Sequence, residues 1–163
     1  MAYIKEVFKF LKYFSFNEKD YMNRPNAWGD GNRMCGLLLR ILDEWRAEVG
    51  SPCYVHAGFE TNGHASHSEH AYGTAVDVDF RGVSLWKAYS ALQKVLSRYN
   101  LQSKVGIGIY FWWVSGKTAA KPGGGFHLDL RGFELTWYSI KQGEYIYDKQ
   151  KAINLMKAKA GVK

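Results

Sequence analysis

The chain has 163 residues, of which 47% are hydrophobic and 16% aromatic. This is enough material for a single domain, residues 1–163, with its own hydrophobic core, and the composition excludes a disordered chain. The 22 Lys and Arg residues exceed the 15 Asp and Glu residues, and the net charge of +7 favours an anionic partner such as nucleic acid, an acidic membrane surface or a bacterial cell wall.

The N-terminal segment is predicted to form an amphipathic helix over residues 2–14, because apolar residues recur there at helical spacing between lysines. The lysines interrupt the apolar run, and no small-residue cleavage site follows it. The segment is therefore interpreted as neither a secretory signal peptide nor a membrane span. We expect synthesis in the cytoplasm without a signal peptide, so if the protein acts outside the cytoplasm, something else must release it.

The rest of the chain alternates helices with short strands. Gly50 stops one helix, and Ser84 is placed to cap the next. Cys35 and Cys53 fall in different elements and are expected to be free thiols. The order predicts an α+β fold, a single domain in which helices pack a small, mostly antiparallel sheet. Helices are predicted over 33–49, 84–99 and within 149–163, and strands over 53–59, 75–79, 104–113 and 126–130.

The stretch SEHAYGTAVDVD, residues 68–79, contains a histidine and an acid that a turn can bring together. His70 precedes Asp77, and Gly73 between them permits the backbone to turn. Apolar residues then alternate with Asp77 and Asp79, so the two acids share one face of a short strand. Burial of a carboxylate in such a strand costs free energy unless a cationic group pairs with it.

A second histidine and acid, His127 and Asp129, occur at strand spacing in GGGFHLDLRG. His70, Asp77 and His127 supply two imidazoles and a carboxylate, a ligand set that catalytic zinc sites use with the fourth position open to water. Zinc in such a site polarises a carbonyl group and lowers the pKa of bound water to about 7. The reaction then needs a general base, and Asp129 is the candidate because it is the nearby carboxylate on the same strand face.

The other histidines and the aromatic run have a structural and a functional interpretation. His56, within a predicted strand, is more typical of a hydrogen-bonded core residue than of a ligand, and His64 and His67 lie in a polar loop that is typical of solvated side chains. The aromatic run 110–113 is most simply explained by packing. Stacking on a sugar or a base is the alternative.

The motif residues carry a resemblance to a known family. Residues 68–77 fit, position by position, the pattern Ser-x-His-x-x-Gly-x-Ala-x-Asp of the zinc D-alanyl-D-alanine peptidases, which include D,D-carboxypeptidases, D-Ala-D-Ala dipeptidases and the L-alanoyl-D-glutamate endopeptidases of phage lysis systems. The metal fold of that family is shared with the amino-terminal domain of hedgehog proteins. FHLDLR resembles the closing strand of the family, and the likeness covers about residues 34–131.

The resemblance implies a zinc site of His70, Asp77 and His127, with Ser68 beside it, and hydrolysis of peptide bonds in peptidoglycan stem peptides. We expect a monomer whose partner is that peptide, without nucleic acid and without a membrane span. Its cell-wall role suits a phage endolysin released by a partner pore.

Two departures from the family pattern concern the substrate and the base. Glu60 stands where many members have an arginine that holds a substrate carboxylate, so Arg81 and Arg131 are the candidates for that role. Gly124 and Gly125 stand where many members have the catalytic acid or a further histidine, which leaves Asp129 as the base.

Two other functions compete with the peptidase. A non-catalytic, zinc-containing binding or structural module with a hedgehog-like fold would keep the metal without the base. A nucleic-acid binder, suggested by the charge and the aromatic residues, would show a binding affinity that falls steeply with salt.

Overall fold

The computed structural model describes residues 4–62, 67–113 and 123–163. One five-stranded sheet has strands in the spatial order first, second, fourth, third and fifth, and all neighbours are antiparallel except the third and fifth. The predicted α+β fold with a mostly antiparallel sheet is confirmed. The strands are β1 (Cys53–Ala57), β2 (Ala75–Phe80), β3 (Gly106–Tyr110), β4 (Gly125–Asp129) and β5 (Leu135–Ser139).

The described part of the chain also contains four α-helices. The second of them ends at Gly50, which adopts the left-handed conformation with a φ of 75°. The third is capped by Ser84, whose hydroxyl accepts the backbone N–H of Lys87, as the sequence predicts. No described helix combines the length and apolar character that crossing a membrane requires. The helices are α1 (Ile4–Phe8), α2 (Gly36–Val49), α3 (Leu85–Arg98) and α4 (Lys149–Lys159).

The alternation along the central strands gives the sheet an apolar and a polar face. Phe126 of β4 is fully buried on the apolar face. Trp45 of α2 packs its ring 5.3 Å from that of Phe126 and donates its indole N–H to the Ala88 carbonyl of α3 at 2.8 Å. Asp77 and His127 are direct cross-strand partners, so both side chains leave the sheet on the polar face. Helix packing on one face therefore leaves the other face for a site.

The helix predicted over 2–14 is wrong in its length, since α1 ends after Phe8. The reason is a tertiary contact with α2. The Asp43 carboxylate accepts the backbone N–H groups of Lys12 and Tyr13 at 3.0 Å and 2.8 Å. These donors would otherwise bond within a continued helix, and the carboxylate takes them instead.

Gly73 fixes the position of the turn that carries His70. It follows the 3-10 turn Glu69–Tyr72 in a left-handed conformation with a φ of 71°. Its carbonyl accepts the N–H of Cys35 at 2.8 Å. A Cβ atom at this position would lie 1.8 Å from the carbonyl oxygen of Arg33. The turn can therefore pack on the start of α2 only with glycine here.

Gly73→Ala is expected to destabilise the protein by about 3 kcal/mol or more, because left-handed strain adds to a backbone overlap. Gly82→Ala is the matched control. Gly82 has a similar φ of 74°, and a Cβ atom added there would have nothing within 4 Å, so only strain of about 1–2 kcal/mol applies. Urea unfolding of both variants measures the difference. Equal losses of stability would contradict the close packing at Gly73.

Candidate metal centre

Three potential metal ligands meet on the polar face of the sheet. The 3-10 turn carries His70, which is 1% exposed. Asp77 of β2 lies directly opposite His127 of β4. The ligand atoms of the three residues all lie within 4.8 Å of one another, so the group could hold a metal ion. The turn and the strand pairing together bring a local pair and a distant histidine to one point.

The spacing of the ligand atoms agrees with a tetrahedral metal site. His70 Nε2 lies 3.3 Å from His127 Nδ1 and 3.2 Å from Asp77 Oδ2, and His127 Nδ1 lies 2.9 Å from Asp77 Oδ1. Bonds of 2.0–2.1 Å at tetrahedral angles require ligand atoms about 3.3 Å apart. Two imidazoles and a carboxylate at this spacing fit one divalent ion.

Hydrogen bonds on the outer side of each imidazole select the nitrogen that faces the centre. His70 Nδ1 lies 2.7 Å from the carbonyl oxygen of Gly58, which can only accept, so Nδ1 carries the proton and Nε2 faces Asp77 and His127. His127 Nε2 lies 2.7 Å from the Asp129 carboxylate, which leaves Nδ1 to bind. Both contacts are the kind that orient histidine ligands in metalloproteins.

Asp129 is fully buried, and donors other than His127 also surround its carboxylate. It accepts the backbone N–H groups of Gly106 and Arg131 at 3.2 Å and 3.1 Å. The Arg131 guanidinium donates to both carboxylate oxygens, from Nε at 2.8 Å and from Nη2. Burial opposes ionisation, but the hydrogen bonds from Arg131 and His127 hold the pKa of Asp129 well below its usual range. The carboxylate is therefore ionised and holds both side chains in place.

His127 lies between two carboxylates when no metal is bound. Burial disfavours its charged form, but hydrogen bonds with Asp129 and Asp77 outweigh this effect and raise the pKa of His127 to about 9. Burial likewise opposes ionisation of Asp77, and hydrogen bonds with His127 and His70 lower its pKa well below the usual range. A metal ion therefore has to displace a proton from His127 at neutral pH.

This competition predicts how the affinity of the site for a divalent metal ion depends on pH. Metal binding needs the neutral form of His127, whose metal-free pKa is about 9, so protons compete throughout the neutral range. We expect the apparent affinity for a divalent ion, with zinc as the probe, to rise by about tenfold per pH unit from pH 6 to pH 8, after correction for the competing chelator. An ordinary histidine would level off above its pKa of about 6.5. A flat affinity between pH 7 and pH 8 would contradict the raised pKa.

Two glycines of β3 make room for the groups behind the metal ligands. A Cβ on Gly106 would lie 2.4 Å from Arg131 Nε and 2.5 Å from Asp129 Oδ2. A Cβ on Gly108 would lie 2.7 Å from the Trp137 indole. Because Gly108 has no Cβ atom, Trp137 of β5 can lie across β3, and its ring centre lies 5.2 Å from that of His127. Glycine is therefore needed at both positions, because side chains of the site fill the space that a Cβ atom would occupy.

The three ligand residues form part of the wall of an open cavity of about 420 Å³, here called the metal pocket. Much of the remaining wall is aromatic, and two of its tyrosines, Tyr145 and Tyr147, are 53% and 66% exposed. The cavity can therefore admit a ligand with both polar and apolar parts. Its other described lining residues are His67, Ser68, Glu69, Tyr110, Arg131, Leu135, Trp137, Tyr145 and Tyr147.

Of the three predicted substrate-binding residues, Ser68 and Arg131 belong to the described lining of the metal pocket and Arg81 does not. Ser68 lines the metal pocket, and its hydroxyl accepts the backbone N–H of His70 at 3.3 Å, so it caps the turn. Arg131 also lines the pocket, with two of its nitrogens engaged by Asp129. Arg81 lies outside the described pocket lining, with its guanidinium 3.6 Å from the centre of the Tyr54 ring.

The remaining histidines are also separated by the fold. His56 lies 2.6 Å from the buried Asp79 carboxylate and stacks 3.8 Å from the Tyr21 ring, which is the arrangement of a hydrogen-bonded core residue. His67 lines the metal pocket. His64 lies outside the described residues.

The aromatic wall of the metal pocket is a feature that the sequence analysis does not predict. Tyr110 and Trp137 lie on different strands, and a hydrogen bond of 3.2 Å joins the Trp137 indole N–H to the Tyr110 hydroxyl. Gly106 and Gly108 lie on the same face of β3. Two glycines at this spacing are a sequence signal that could have predicted a large side chain lying across the strand.

No protein-family model matches the chain, and comparisons with curated proteins and with solved structures also returned no match. The resemblance of residues 68–77 to the zinc D-alanyl-D-alanine peptidases therefore stays a prediction from the motif.

Proposed function

We propose that the protein is a zinc-dependent peptidase that hydrolyses peptide bonds in peptidoglycan stem peptides. The observation that carries this proposal is the convergence of His70 Nε2, His127 Nδ1 and an Asp77 oxygen in the wall of an open pocket. Structural zinc sites are closed by four protein ligands, whereas catalytic sites use three and leave one position open. The motif resemblance supports the choice of zinc and of the substrate.

The chain's own residues would hold the ion and keep its ligands in place. His70, Asp77 and His127 bind it, and Gly58 and Asp129 orient the two imidazoles. When bound, zinc in a site of this kind polarises a carbonyl group and lowers the pKa of a water molecule. The net charge of +7 favours approach to an anionic cell wall.

The contacts of Asp129 favour a positioning role over the predicted role of general base. Its oxygens accept from His127, Arg131 and the backbone, and its lowered pKa makes it a weak proton acceptor. Among the described residues that line the metal pocket, Glu69 is the one carboxylate other than Asp77. We therefore propose Glu69 as the general base that would accept a proton from the attacking water. The Thr74 hydroxyl donates to Glu69 Oε2 at 2.6 Å and holds it in place.

The engagement of Asp129 also favours a second candidate function. A binding module that keeps the metal and lacks a competent base would have the same ligand geometry and the same buried Asp129–Arg131 pair. In that case the metal stabilises the fold and the pocket binds peptide without cleaving it.

Digestion of purified peptidoglycan tests the proposal. The zinc-loaded protein is incubated with sacculi, with and without chelator, and the released termini are identified by mass spectrometry. We expect new amine termini with metal present, a loss of activity with chelator, and recovery after zinc is restored. The His70→Ala variant should release no new amine termini. A protein that binds zinc and sacculi but generates no termini would contradict the peptidase and support the binding module.

A further inference from the structure

Tyr110 is a hydroxyl-bearing residue that lines the metal pocket together with the three candidate ligands. The residue follows Gly108 by two positions on β3, and Gly108 is the cross-strand partner of His127, so Tyr110 leaves the sheet on the same face. It lines the pocket together with Asp77 and His127. Burial and the nearby Asp77 carboxylate raise the pKa of Tyr110, so the hydroxyl keeps its proton at neutral pH.

Two contacts hold the Tyr110 ring and hydroxyl in a fixed orientation. The ring stacks on Trp113 with centroids 4.2 Å apart and an interplanar angle of 14°. The indole N–H of Trp137 donates to the hydroxyl oxygen at 3.2 Å. Because an indole N–H can only donate, it occupies a lone pair and leaves the O–H proton for another acceptor. Among the described residues no acceptor for that proton is found, and Tyr110 lines the open pocket.

We propose that the Tyr110 hydroxyl donates a hydrogen bond to the oxygen that gains negative charge when the substrate carbonyl is attacked. This inference rests on the proposed peptidase function and adds a catalytic residue to it. Hydrolysis of an amide converts the planar carbonyl into a tetrahedral centre with charge on that oxygen. A donor that is oriented beforehand stabilises this charge more than the neutral carbonyl, and so raises kcat more than it lowers KM. Trp137 acts as a positioning residue through Tyr110.

Tyr110→Phe tests the proposal, because it keeps the stacked ring and removes only the hydroxyl. Tyr138→Phe is the matched control. Tyr138 belongs to β5, is fully buried in the core, and its hydroxyl has no hydrogen-bond partner among the described residues. The zinc content of both variants should equal that of the wild type and both should unfold cooperatively, which shows that the fold and the metal site are intact.

The first measurement does not depend on peptidase activity. Methylphosphonate, a tetrahedral anion, is titrated calorimetrically into the zinc-loaded proteins. We expect Tyr110→Phe to bind it about 10- to 100-fold more weakly than the wild type and Tyr138→Phe. Equal affinities of the wild type and Tyr110→Phe would overturn the proposal, and so would a wild type that does not bind methylphosphonate.

The second measurement is the rate of peptidoglycan hydrolysis. We expect Tyr110→Phe to lower kcat by about 100- to 1000-fold with little change in KM. An unchanged kcat would overturn the assignment. If the wild type releases no termini while Tyr110→Phe still loses methylphosphonate affinity, the hydrogen-bond donor stands and the proposed substrate fails, so the two failures are distinguishable.

Discussion

His70→Ala is expected to lower the affinity for zinc by roughly 100- to 1000-fold. A four-ligand structural zinc site is worth about 10–16 kcal/mol at neutral pH, so one protein ligand accounts for about 2.5–4 kcal/mol. Asp77→Asn and His127→Ala should weaken binding to a similar extent, because each removes a ligand from the same group. Competition with a chromophoric chelator measures the three affinities.

His56→Ala is the matched control for this prediction. His56 also pairs with a buried acid, Asp79 at 2.6 Å, but it lies outside the described lining of the metal pocket. We expect the variant to bind zinc as the wild type does, despite some loss of stability. If His56→Ala lost zinc while His70→Ala retained it, the ion would be bound elsewhere and the ligand assignment would be wrong.

Asp129→Asn is expected to have two large effects. It removes a buried negative charge opposite Arg131, and breaking such a pair costs about 3–5 kcal/mol of stability. It also removes the acceptor that orients His127, and such changes weaken metal binding by about 10- to 100-fold. Urea unfolding of the metal-free protein and zinc titration measure the two effects separately.

The control for Asp129→Asn is Asp43→Asn, which alters a carboxylate that accepts two backbone N–H groups far from the pocket. We expect it to cost less than about 1 kcal/mol and to leave zinc affinity unchanged. If Asp129→Asn abolished peptidoglycan hydrolysis while stability and zinc affinity stayed at wild-type values, Asp129 would be the base and the positioning role would be wrong.

The candidate ligand residues could be selected from the sequence because their signals are local. His70, Gly73 and Asp77 lie in one short stretch, and the glycine has a conformational requirement that the structure shows directly. His127 could be added because a zinc site needs a third nitrogen or oxygen ligand. Its direct pairing with Asp77 could not be predicted, because the two residues are 50 positions apart and register depends on the whole sheet.

The surroundings of the ligands were harder to predict for the same physical reason. The role of Asp129 depends on Arg131 and on the N–H of Gly106, which only the packed sheet brings together. The hydrogen bond between Trp137 and Tyr110 requires β5 to lie parallel to β3, and β5 is absent from the predicted strands. Helical periodicity in the first residues indicated too long a helix, because a tertiary acceptor decides where α1 ends.

X-ray diffraction from crystals of the zinc-loaded protein, recorded on both sides of the zinc absorption edge, tests the metal centre most directly. We expect one anomalous peak with His70 Nε2, His127 Nδ1 and an Asp77 carboxylate oxygen at about 2.0–2.2 Å, and with the fourth position facing the metal pocket. A peak bound by other residues, or the absence of any peak near His70, Asp77 and His127, would contradict it.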